Sequence, residues 1–148
     1  MREFIDRLRD FPARLTAAAQ SASDPTRLEK EGGWSVTDVV AHLADLELVY
    51  AVRIRTIVAG AGETPLPGLE QDAWVRNVHR REPVNELLEQ FAFLRKMNTD
   101  LLDRLSEEEL SRSGIHPQYG PLTAQGAAER LVRHDEKHLA QLERIKGA

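Results

Sequence analysis

Apolar residues at Phe4, Leu8, Phe11 and Leu15 recur every three to four positions, the spacing that lines one face of an α-helix. The pattern predicts an amphipathic helix from about residue 2 to residue 20. Pro12 lies inside it, where its ring removes a backbone donor and favours a kink or a break into two short helices. A connector follows, with Asp24-Pro25 and Gly32-Gly33. Ser35 can then cap a second helix, with Asp38 at its third position and Trp34 and Val39 as a hydrophobic staple. This helix runs through VTDVVAHLADLELVYAVRIRTIVA to about Ala59 and ends at Gly60-Ala61-Gly62. It is the most apolar of the set and is expected at the centre of the fold.

Residues 60–70 read as a loop, and Glu70 to about Arg81 as a shorter helical piece carrying Trp74. Pro83 suits the first turn of a helix. Val84, Leu87, Leu88, Phe91, Leu94, Leu101, Leu102 and Leu105 mark that helix as a long one. Ser106-x-x-Glu109 is a capping box for one further turn. SRSGIHPQYGPL reads as a loop, and Thr123 caps the last helix, with Ala124, Ala128, Leu131, Leu139, Leu142 and Ile145 on its core side. No run of alternating apolar and polar residues marks a strand. Four helices of about 18–25 residues predict an all-α, up-and-down four-helix bundle. The 148 residues are expected to form one domain, residues 1–148.

Composition narrows the function. There is no cysteine, which excludes disulfide scaffolds, thiolate metal sites and a cysteine nucleophile and suits a reducing, cytoplasmic setting. With 20 basic against 24 acidic residues the chain is net acidic, so no nucleic-acid partner is expected. No apolar run approaches membrane-spanning length, so no membrane association is expected.

The candidate chemistry lies in the histidines: His42, His79, His116, His134 and His138. His134 and His138 stand four apart and project from one helix face, the spacing by which a helix offers two imidazoles to one metal. Ala127, Leu131, Gln141 and Ile145 share that face, so it points inward. His42 shares its face with Val39, Leu46 and Val49 and points inward too. Taken alone, His42 also reads as a core histidine satisfied by a carboxylate, and RHDEKH as a half-exposed pair. Together, three inward imidazoles are costly to bury without partners, and a divalent ion satisfies all three. Three nitrogen donors and an open position make a catalytic arrangement.

Two other metal patterns fit less well. HDEKH has Asp135 where the zincin HExxH motif needs Glu. A di-iron bundle needs more carboxylates than the single Asp135-x-x-His138 supplies. His116 and His79 sit in polar segments and read as surface histidines. Arg53 reads as a structural ion-pair partner. Asp38, Asp45 and Asp135 are either carboxylates orienting the imidazoles or solvated helix charges.

The order of motifs carries a resemblance. Gly33-Trp34-Ser35 is followed by Val39-Val40-Ala41-His42-Leu43-Ala44-Asp45. Then come His116-Pro117, Gly120 and Leu122-Thr123, and finally His134-Asp-Glu-Lys-His138-Leu139-Ala140-Gln141. Over about residues 4–146 the chain resembles the DinB-like (YfiT-like) metalloenzyme family. The resemblance implies a four-helix bundle, commonly a homodimer, that binds nickel or zinc through three histidines. These fall on His42, His134 and His138. Characterised relatives transfer low-molecular-weight thiols such as bacillithiol or mycothiol, or isomerise maleylpyruvate with a thiol cofactor.

The expectation for this chain is a metal-dependent enzyme with a mononuclear three-histidine site. It would act as a thiol S-transferase or a hydrolase on a small electrophilic substrate. A chain without cysteine would borrow any thiol from a cofactor. The alternative is a stress-linked metal-binding protein without turnover, which a fourth protein ligand would favour.

Overall fold

The computed structural model describes residues 2–79 and 81–147. Four long helices carry the fold: α1 (Glu3–Gln20), α2 (Val36–Ala59), α4 (Val84–Arg104) and α6 (Ala124–Gly147). Two short ones, α3 (Gln71–Asn77) and α5 (Glu107–Ser111), sit in the connections. Their ends follow from local chemistry. Ser35 accepts from the Asp38 amide while the Asp38 carboxylate accepts from the Ser35 amide, closing a capping box on α2. Ser106 and Glu109 do the same for α5. Thr123 accepts from the Gly126 amide at 2.9 Å and opens α6. Helix α1 continues through Pro12 as one element. Helix α3 stops at Asn77, short of the expected Arg81, and Arg80 lies outside the described residues.

The four-helix bundle expected from the periodicity is present. Around it, α4 packs on α1 and α2, and α6 packs on α1 and α2. Helices α1 and α2, consecutive in sequence, therefore sit diagonally, and the connector of residues 21–35 is long enough to span that diagonal. One continuous apolar core joins them, with Leu8, Leu15, Val39, Val40, Tyr50, Ile54, Leu87, Leu102, Ala127 and Leu142 almost wholly buried. Between Phe91 and Leu102 the core face of α4 turns polar, because its buried positions are Arg95, Asn98 and Thr99.

Arg95 is 1% exposed and reaches all four long helices. Its guanidinium donates to Glu47 on α2 at 2.7 and 3.0 Å. It donates to both oxygens of Asp135 on α6 at 2.7 and 2.9 Å, and to the Leu8 carbonyl of α1 at 3.0 Å. Asn98 completes the set by donating to the Glu47 carboxylate at 2.9 Å. Burial opposes the Arg95 charge, but the two carboxylates outweigh it and hold the guanidinium protonated.

One stretch departs from expectation. SRSGIHPQYGPL forms a small antiparallel hairpin, β1 (Ser113–His116) and β2 (Gly120–Thr123), with Ser113 opposite Thr123 and His116 opposite Gly120. The loop after α2 adds to it. Ile115 donates to the Thr64 carbonyl at 2.8 Å, and Leu66 donates to the Ile115 carbonyl at 2.9 Å. Gly114 makes this approach possible, since a Cβ there would lie 2.7 Å from Leu66 Cδ2 and 3.0 Å from the Thr64 carbonyl. The hairpin and the docked loop form one wall of a cleft between α2 and α6.

Candidate metal centre

The cleft encloses about 500 Å³ and is the place where the three singled-out histidines meet. A slightly larger hollow of about 610 Å³ beside Arg2, Glu107 and Arg133 contains no histidine. In the cleft, α2 and α6 face each other with matched stripes. His42 lies against His138, and Tyr50 lies against His134. His42 and Tyr50 are eight residues apart on α2 and His134 and His138 four apart on α6, so the two members of each pair share a helix face.

His42 is 2% and His138 6% exposed, and their Nε2 atoms stand 3.2 Å apart. Two ligand nitrogens about 2.0–2.1 Å from one tetrahedral ion are separated by about 3.3 Å. The His138 Nδ1–H donates to Gln141 Oε1 at 2.9 Å. That bond turns the Nε2 lone pair of His138 toward His42. Trp34 packs against the His42 ring, with centroids 5.1 Å apart.

His134 is half-buried one turn away, with its ring centroid 6.2 Å from that of His138. Rings sharing a tetrahedral ion have centroids about 5 Å apart, so His134 stands about 1 Å outside the position a shared ion would require. Among the described residues no three His, Cys, Asp or Glu side chains already stand in coordinating geometry. The structure brings two of the three expected ligands to ligating separation and holds the third at the edge of the same cleft.

Electrostatics keep these rings neutral. Burial, reinforced by His138 and His134, pushes His42 down to about 3. Burial, then His138 and Arg130, pushes His134 down to about 4. Burial lowers His138 as well, against the opposing pull of Gln141. Neutral imidazoles present lone pairs, the form a metal binds. The Nδ1 atoms of His42 and His134 are buried without hydrogen-bond partners among the described residues. The donor set therefore fits a borderline divalent cation, for which imidazole is a preferred ligand.

The carboxylates near the imidazoles serve other groups. Asp38 is spent on the α2 cap. Asp45 accepts from His79 Nε2 at 2.6 Å, and Asp135 pairs with Arg95. None orients an imidazole of the trio; Gln141 does so for His138. Asp45 and Asp135 are thus both engaged away from the cleft and offer no fourth ligand.

Two histidines read as surface residues are not. The His79 side chain is only 10% exposed, clasped between Asp45 and Glu82. Burial works against its charge, but those two carboxylates more than compensate and raise its affinity for a proton. His116 is 6% exposed and lines the cleft from β1. Its Nδ1 accepts from the Gln118 and Tyr119 amides at 3.1 and 3.3 Å. That fixes the neutral Nε2–H tautomer, and burial, then the charges of Arg53 and Arg130, keeps it neutral. Arg53, expected in an ion pair, instead donates to the Pro67 carbonyl at 2.9 Å and stacks on Tyr50.

A helix bundle with an open, imidazole-lined cleft between facing helices belongs to the bundle proteins that build their sites from inward side chains. Residues 7–142 match the sequence model of the DinB superfamily, and the chain belongs to that superfamily. A protein of Oceanobacillus iheyensis named "putative metal-dependent hydrolase" is 25% identical over 142 residues, covering 95% of this chain and 82% of that protein. A Bacillus cereus protein of the same name is 25% identical over 146 residues, covering 97% and 83%. The solved structure of YfiT from Bacillus subtilis superposes with a TM-score of 0.86 at 26% identity, covering 97% of this chain and 83% of that one. Its published description is "a probable metal-dependent hydrolase with an unusual four-helix bundle topology". The resemblance read from the motifs is borne out, as is the bundle. No described helix is long and apolar enough to cross a membrane.

Proposed function

We propose that this chain is a metal-dependent hydrolase of small molecules whose divalent ion is held by His42, His134 and His138. The observation that carries the reading is the 3.2 Å approach of two neutral, buried Nε2 atoms, one of them aimed by Gln141. Without an ion, only one proton can lie between those two nitrogens, and the buried Nδ1 of His42 stays unpaired. His134, on the more exposed side of the cleft, would be the third residue to hold the ion. The names of the relatives support metal dependence and hydrolysis.

A bound divalent cation supplies Lewis-acid polarisation and lowers the pKa of a nucleophile beside it. The chain's own residues do the rest. The walls from Trp34, Leu46 and Tyr50 limit water around the imidazole pair. His116 offers a neutral N–H from the opposite wall, a donor to an oxygen that gains charge. The cleft opens to solvent and admits a small substrate.

Nickel and zinc both suit the donor set. A thiol S-transferase would use the same centre with an external low-molecular-weight thiol as nucleophile, since the chain has no cysteine. The alternative of metal binding without turnover requires a closed site, and the engagement of Asp45 and Asp135 elsewhere speaks against it. The deciding experiment offers a panel of activated esters and alkyl electrophiles to zinc- and nickel-loaded protein, with and without added thiol. Hydrolysis without thiol, lost in His42→Ala, is the expected result. Turnover only with thiol would assign a transferase. No turnover, with metal bound by four protein ligands, would favour the binding protein.

A further inference from the structure

Past the imidazoles the cleft changes character. Along α2 the lining runs from His42 through Tyr50 to Arg53, and along α6 from His138 through His134 to Arg130. The two stripes run in opposite chain directions, so the imidazoles gather at one end and the guanidiniums at the other. Arg53 is 4% exposed. The arginines paired with carboxylates among the described residues are Arg2, Arg9, Arg14, Arg95, Arg112 and Arg144, and neither Arg53 nor Arg130 is among them. Arg53 spends one donor on Pro67. Arg130 stacks on the Tyr119 ring, with Cζ 3.9 Å from the centroid, and its Nε is buried without a partner. Tyr50, 0% exposed, lines the cleft, and its Oη is buried without a hydrogen-bond partner among the described residues. Glu70 and Asp72 stand on the exposed rim and pair with neither arginine.

Two buried or half-buried cations that repel one another are expensive unless something anionic joins them. Burial, the largest effect, weakens the hold of Arg53 on its proton; Tyr50 opposes it, and Arg130 adds a smaller lowering. The Arg95 knot shows how the same fold treats an arginine that serves structure, with two carboxylates closed around it. We propose that Arg53 and Arg130, with the Tyr50 hydroxyl, form an oxyanion-binding pocket that receives a carboxylate or phosphate group of the substrate. The planar forks of the two guanidiniums suit either group. Arg130 and His138 are eight residues apart on one helix, about 12 Å along its axis. The anionic group therefore lies on the order of 10 Å from the imidazole pair, and the substrate class is a short, elongated molecule with an oxyanion at one end and the scissile bond at the other. This assignment of substrate rests on the proposed reading of the histidines as the reacting centre.

The test uses the metal-free full chain, with inorganic phosphate and acetate titrated separately by calorimetry. The expected result is binding of at least one anion, weakened about tenfold or more in Arg53→Gln and in Arg130→Gln and weakened less in Arg53→Lys, which keeps the charge but not the planar fork. Phosphate-selective binding identifies a phosphorylated substrate, and acetate-selective binding a carboxylate. Arg130 is half-buried, so Arg130→Gln keeps the test valid should Arg53→Gln unfold, as a circular dichroism melt would reveal. Absence of binding by the parent chain, or equal affinity in Arg130→Gln, overturns the proposal. Zinc titration of the same proteins separates the two readings. Arginine-dependent anion binding without zinc binding sinks the metal centre alone, and zinc binding without anion binding sinks the pocket alone.

Discussion

Two polar clusters lie buried in this bundle, and they are built in opposite ways. Around Arg95 every strong group has a partner: Glu47, Asp135 and the Leu8 carbonyl accept from the guanidinium, and Asn98 beside it on α4 donates to Glu47, so that all four long helices take part. In the cleft between α2 and α6, the Nδ1 atoms of His42 and His134, the Nε of Arg130 and the hydroxyl of Tyr50 are buried without a hydrogen-bond partner within reach among the described residues. A closed network fixes the relative placement of helices and has nothing left to offer a ligand. An open one costs stability and persists where a ligand completes it. The two clusters are neighbours in sequence, since Asp135 and His134 are adjacent on α6 and face different partners.

The contrast breaks most visibly at the knot. Arg95→Ala leaves Glu47 and Asp135 facing one another in the core, and we expect a loss of about 3–5 kcal/mol in urea unfolding. Replacing Arg95, Glu47 and Asp135 together by Met, Leu and Leu should recover most of that loss, because no buried charge is then left alone. A single-mutant cost below about 1 kcal/mol would mean that the knot does not organise the bundle.

The histidine cleft should respond to acid instead. The folded-state pKa values of His42 and His134 lie below the ordinary value of 6.5, at about 3 and about 4. Their contribution to stability is therefore present above pH 6.5 and lost as pH falls toward those values. In the metal-free protein each such histidine should add a slope of about 1.4 kcal/mol per pH unit between about pH 6 and pH 4. His42→Leu should flatten the curve by one such increment. Parallel curves for the two proteins would show that His42 is not held neutral in the folded state.

Much of this fold is legible in the sequence because it is local. Ser35-x-x-Asp38, Ser106-x-x-Glu109, Thr123 and Pro83 set helix ends with residues three apart, and the structure keeps each of them. Helical periodicity places His42, His134 and His138 on inward faces, and the packing of α2 against α6 brings those faces to one cleft. Arg95 and Glu47 are not legible in this way, because a charged residue on a helix reads as solvated until its partners on other helices are known. A trace exists in the apolar stripe of α4, which is interrupted between Phe91 and Leu102 where Arg95, Asn98 and Thr99 take the core positions. The hairpin escapes because its strands are four residues long, contain Gly114, Gly120 and Pro121, and find part of their hydrogen bonding in residues 64–66. Without the hairpin, nothing local in the sequence carries His116 to the cleft.

The smallest expected effect concerns the surface. Leu48 and Val52 lie one turn apart on α2 and are 47% and 49% exposed. We propose this pair as the seam of the homodimer that the family resemblance implies. Val52→Asp should shift the light-scattering mass from dimer to monomer while changing the stability of the subunit by no more than about 0.5 kcal/mol. An unchanged mass would place the contact elsewhere or make the chain monomeric.

The claim that the open cluster is a metal centre and the closed one a structural pin meets its most direct test in His138→Ala. Metal content of the untagged protein, by mass spectrometry, is measured beside a thermal melt by circular dichroism. The expected result is about one divalent ion per parent chain, none in the variant, and a melt in which the helices still unfold cooperatively, because the apolar core and the Arg95 knot are intact. Stoichiometric metal retained by His138→Ala, or a variant with no helical melt, would contradict the account.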